Sequence, residues 1–148
     1  MAASLWHGRY ATAFATAAKA GGARVLAMMT AAGADSRSST KYLRNIGDKE
    51  KQSEALGFDF LGLYRPAVIL GNSNTPSALG LVMPLVHWAM PSRYHSIHKN
   101  DLARAMVAQS EQAFLALAQG KGPAAPAMKI LEYKEMEPFF AVGDSAAP

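Results

Sequence analysis

The 148-residue chain has no cysteine. Disulfides, thiolate nucleophiles and cysteine-ligated zinc are therefore excluded, and the absence fits a reducing compartment. A membrane-spanning run is missing too: the longest apolar stretch, Ser77 to Pro91, contains Pro84 and His87 and falls short of the ~20 residues a spanning helix needs. No internal repeat is present. Acids are absent before Asp35, so the net charge of +4 is concentrated at one end. Arg9, Lys19 and Arg24 lie in residues 1–34, leaving 12 of the 15 basic and all 11 acidic side chains to the rest. That nearly balanced body has little field with which to hold a phosphate backbone, and no direct nucleic-acid partner is expected.

Half of the residues are apolar and 18% are charged, the composition of one ordinary globular domain. A domain of this length buries roughly 68–70% of its unfolded surface, enough for a real core. The opening segment, MAASLWHGRYATAFATAAKAGGAR, is rich in Ala, Ser and Thr and has no acid. It reads either as a mitochondrial targeting helix that is not cleaved or as a helix of the fold, with its boundary near residue 22.

Local signals give an alternating order. Ala11 to Ala20 is a helix by propensity, stopped by Gly21-Gly22. Arg24 to Thr30, an apolar run between glycines, reads as a strand covered on both faces of a parallel sheet. Ala31 to Thr40 is a loop, and Ser39 or Thr40 caps a helix running to Leu56, with DKEKQSE as its solvent face. Phe58 to Leu70 reads as one strand with Pro66 at its end or at a bulge. Ser77 to Met90 reads as an apolar helix interrupted by Pro84, and Leu79 to Trp88 as an uncovered apolar surface suited to an interface. Lys99-Asn100-Asp101 caps a helix from Leu102 to Gln119, Met128 to Tyr133 is a further strand, and 137–148 is a tail. The methionines in apolar segments, Met28, Met29 and Met106 among them, read as core filling.

Three stretches carry a resemblance: AKAGGARVLAMMTAAGADSRSSTKY, LGFDFLGLYRPAVILG and SIHKNDLARAMVAQ. In this order and spacing, over about Ala18 to Met136, they resemble the atypical short-chain dehydrogenases of the Tat-interacting-protein and NAD(P)-binding-protein type. The resemblance implies an α/β fold, the C-terminal half of a Rossmann-type domain (residues 23–136) with a short parallel sheet flanked by helices. It also implies positions. Tyr42 falls where the family's proton-transferring tyrosine stands and Thr30 where its serine stands, while Arg65, Pro66 and Gly71 fall beside the nicotinamide pocket. The lysine expected four residues after the tyrosine, on the same helix face, is replaced by Ile46. Isoleucine can neither bind a ribose nor activate a phenol. Lys41 and Lys49 lie on other faces of that helix.

Dinucleotide folds also grip pyrophosphate with a glycine-rich turn at a helix N-terminus, and neither G-x-x-G-x-x-G nor G-x-G-x-x-G occurs. The expected reading is thus a non-catalytic, dehydrogenase-derived subunit of a larger multiprotein assembly, with no bound cofactor. A mitochondrial location is expected, in a respiratory complex or a mitochondrial ribosome, and a cytoplasmic one otherwise. Its partners would be other protein subunits, near a membrane or away from one but not spanning it. The alternative is an NAD(P)-dependent oxidoreductase whose cofactor-binding half is supplied elsewhere. His95 and His98 have a spacing that a metal can use on a helix, but no third ligand accompanies them, and no metal site is expected.

Overall fold

A computed structural model describes residues 3–71 and 89–140, with side chains from Tyr10 onward. The expected helix at 77–90 and the apolar surface at 79–88 fall outside the described residues, apart from the last two positions of the helix.

Helix α1 spans Ala3–Ala20, longer at its start than propensity suggests. Gly22, at φ 89°, ends it: its N–H donates to the Lys19 carbonyl and the Ala23 N–H to that of Ala18, so the last carbonyls are satisfied. Strand β1 is Val25–Met29, helix α2 is Lys41–Glu54 with Thr40 at its N-cap, and strand β2 is Phe60–Tyr64. The single strand expected over 58–70 is in fact two. Arg65-Pro66 ends β2 because proline has no N–H for a ladder, and Ile69–Leu70 forms β3. Strand β3 pairs in parallel with β4, Ile97–His98, as a separate two-stranded sheet.

Helix α3 covers Lys99–Ala118, starting three residues before the expected Leu102. Its cap is His98, which accepts from the Asn100 N–H at 3.4 Å, rather than the Lys99-Asn100-Asp101 run. Strand β5 is Ala127–Leu131. It stops short of Tyr133 because the Glu132 and Glu135 side chains form a capping box that opens a short helix, α4, Tyr133–Met136. A turn of 3-10 helix, Glu137–Phe139, follows, and Phe139 and Phe140 pack against the core.

The main sheet is wholly parallel, in the order β1-β2-β5. Strands alternate with crossover helices, α2 between β1 and β2 and α3 between β2 and β5, as in a truncated Rossmann-like α/β fold. Every residue of central β2 is buried. On one face Leu26, Leu61 and Leu63 meet α1 through Ala15, with Phe58 beside them. On the other, Tyr64 and Leu131 meet Leu102 and Ala105 of α3 and Met136 of α4. β1 is covered on both faces as expected, Leu26 and Met28 on the α1 side and Ala27 on the α3 side, although only Leu26 is fully buried. Among the described residues β1 is an edge strand, and Met29 at its end is 54% exposed, not core filling.

An ion-pair cluster joins the end of α1 to the start of the sheet. Asp59 accepts from Arg24 Nε at 2.6 Å and lies 3.8 Å from Lys19 Nζ. The Arg24 hydrogen bond holds the Asp59 carboxyl below the ordinary carboxylate value of 3.8. On acidification the unfolded chain therefore takes up this proton first. The stability that Asp59 contributes is present above that value and disappears as pH falls through the lower folded one. Asp59→Asn is expected to flatten the acid limb of a plot of Tm against pH below about pH 4, and to do so less in high salt. An unchanged acid limb in low salt refutes the assignment.

Candidate functional site

The positions singled out by the sequence gather at the carboxyl ends of β1 and β2, where open α/β sheets place their ligands. Thr30 follows β1 directly. Its N–H donates to the Tyr64 carbonyl at 2.7 Å and its hydroxyl to the same oxygen at 3.2 Å. The hydroxyl thus fastens β1 to β2. Tyr42 stands in the first turn of α2 and is 61% exposed, and Ile46, one turn further on, is half-buried.

Arg65 is held more firmly. Its guanidinium forks onto Glu50 of α2, Nε to Oε1 at 3.0 Å and Nη2 to Oε2 at 2.5 Å, with both side chains largely out of water. The Glu50 hydrogen bonds raise the Arg65 pKa further above its ordinary value. Pro66 is buried and its carbonyl accepts from the Ala32 N–H, so it anchors the loop after β1. Gly71, at φ 76°, sits where a Cβ would come within 2.3 Å of His98 Nε2. The close approach of the second small sheet requires glycine there. His95 and His98 serve different structures: His98 caps α3, whereas the His95 ring lies within 3.2 Å of the Met90 carbonyl and edge-on to Tyr133.

Nothing in the sequence singles out Glu50: DKEKQSE reads as a solvated face, yet α2 buries Gly47, Glu50 and Ser53. A signal does lie in the spacing. Gly47 and Ser53 stand three residues either side of Glu50, a narrow stripe of small side chains that lets the helix lie close to the loop before it and brings the carboxylate to Arg65.

A cavity of about 270 Å³ lies between α2, the 34–37 loop and strands β2 and β5. Asp35, Glu50 and Glu54 balance Arg37, Lys51 and Arg65 around it, and Met128 and Ile130 of β5 contribute apolar wall. None of Thr30, Tyr42 and Ile46 lines it. It is slightly smaller than the usual range for small-molecule sites, about 300–1,000 Å³.

No known family profile matches the sequence. Over 61 residues, however, the chain is 41% identical to the protein HTATIP2 of Rattus norvegicus. The likeness is partial. It takes in 41% of this chain and 25% of that protein, so the chain spans about a quarter of the relative's length. Together with the parallel sheet, the match to HTATIP2 supports a short-chain-dehydrogenase-like character for the chain.

Proposed function

We propose that this chain is a dehydrogenase-derived, non-catalytic structural subunit of a larger protein assembly, located in the mitochondrion. The observation that carries the reading is Ile46: one helical turn after an exposed Tyr42, an aliphatic side chain takes the place of the cation that a nicotinamide enzyme of this type uses. The neighbouring polar groups suit a dinucleotide poorly as well. The Thr30 hydroxyl is engaged by a backbone carbonyl and the Arg65 guanidinium by Glu50. A short parallel sheet with an open edge favours burial against other proteins. The acid-free, basic α1 region favours the mitochondrial location.

Titration of the purified chain with NADH and NADPH, followed by nucleotide fluorescence, tests the proposal. No saturable binding is expected at millimolar cofactor. Micromolar binding accompanied by turnover of a carbonyl substrate would overturn it in favour of an NAD(P)-dependent oxidoreductase.

A further inference from the structure

We propose that the outer face of the α1 and α2 layer lies against an anionic lipid surface, with the rings of Tyr10 and Phe14 seated among the headgroups. The lipid contact goes beyond the subunit reading and stands or falls apart from the cofactor titration.

The outer side of α1 is apolar. Ala15 is fully buried against the sheet, so at roughly 100° per residue the opposite side of the helix runs through positions 10, 13, 14 and 17. These are Tyr10, Ala13, Phe14 and Ala17, all exposed, the two rings at 64% and 69%. Thr16 is the one exposed polar residue between Tyr10 and Ala17, and its hydroxyl turns back onto the Thr12 carbonyl at 2.9 Å. A helix that faces water on one side carries polar residues there, whereas one that is apolar all round is covered.

Charge argues for what covers it. Both α1 and α2 lie over the sheet face of Leu61 and Leu63, and the Thr12 hydroxyl of α1 donates to Gln52 Oε1 of α2 at 3.0 Å. Helix α1 has two cations and no acid, and α2 has four cations and three acids, a net of +3 for the layer. On the other face of the sheet α3 and α4 carry three cations and three acids, a net of zero. Most of the chain's net +4 is thus on one side of the sheet. Ion pairing leaves the imbalance as it is, because Asp59 engages Lys19 and Arg65 engages Glu50, one charge of each sign. Lys41, at the start of α2, is exposed.

Rings on an apolar ridge, bordered by cations in excess of acids, match a helix that lies in a membrane interface: the rings enter the headgroup region and the cations meet anionic lipid. A protein partner would need acids at fixed places to answer this spread of charge, whereas lipid headgroups rearrange to meet it. Among the described residues no helix is long and apolar enough to cross a membrane, so the contact is peripheral.

Flotation of the full chain with vesicles of phosphatidylcholine alone, and of an equal mixture with phosphatidylglycerol, tests the proposal. Binding is expected to the mixed vesicles only, and to weaken as salt is added. Lys41→Glu changes the charge by two and is expected to weaken binding about 25-fold, about fivefold for each charge near the surface. Phe14→Ser keeps the charge and removes one ring, with an expected loss of about tenfold. Both positions are exposed, and the far-UV circular dichroism of each variant is expected to match that of the unsubstituted chain. A chain that does not float with the mixed vesicles in low salt, one that floats equally with the neutral ones, or binding indifferent to Phe14→Ser overturns the proposal.

Discussion

Gly47→Ala is expected to destabilise the fold by about 3 kcal/mol, near the upper end of the usual cost of forcing extra volume into a packed site. On helix propensity alone the change should help by about 1 kcal/mol. Packing reverses the sign, because a Cβ at position 47 would lie 2.2 Å from the Ser36 nitrogen and 2.4 Å from the Asp35 carbonyl carbon. Both neighbours are backbone and cannot swing aside as a flexible side chain would. For the methyl group to fit, α2 must lift from the 35–36 loop and carry Glu50 away from Arg65. Urea denaturation reads the result directly. A midpoint equal to or above that of the unsubstituted chain shows that α2 does not approach this loop so closely.

Removing one half of the Arg65–Glu50 pair is expected to cost at least as much. Arg65→Met leaves a carboxylate in a site where Glu50 is 5% exposed, and breaking a buried pair on one side costs about 3–5 kcal/mol. The double replacement Arg65→Met with Glu50→Leu removes both charges and should recover most of that loss, since buried ion pairs and well-packed apolar substitutes are often close in stability. A double-mutant cycle in urea measures the coupling. If Arg65→Met costs less than about 1 kcal/mol, within the range of an exposed pair, the bridge does not hold α2 to β2.

The layout of the sheet is largely legible in the sequence, and its faces are not. RVLAMMT between glycines and MKILEY after a Pro-rich connector both mark strands that exist, because a short apolar run with punctuation at both ends has few other uses. Pro66 announces a break, but nothing local tells that Ile69–Leu70 leaves the main sheet for a partner at Ile97–His98, a pairing decided by packing across the chain. The same limit applies to the site. Thr30, Tyr42 and Ile46 can be placed from the resemblance and from helical spacing. The Arg65–Glu50 pair cannot, because seven residues of mixed charge look solvated until the Gly47 and Ser53 positions show which side of α2 meets the protein. Met29 reads as core, wrongly, for a related reason: whether a strand is central or lateral depends on which strands flank it, and periodicity carries no information on that.

The pairing of β2 has a consequence for how the chain acquires its structure. Val25 aligns with Phe60, whereas Phe60 aligns with Ala127, so the second partnership closes a loop about twice as long as the first. Doubling a loop adds only about 0.6 kcal/mol to closure, but non-local parallel pairing is slow, and a chain emerging from its N-terminus makes β5 last. Until then FLGLY, the most deeply buried strand of the finished sheet, waits with one row of amides unanswered. The interval between synthesis of residue 64 and arrival of residue 127 is therefore when the protein is most exposed to aggregation and in greatest need of a chaperone.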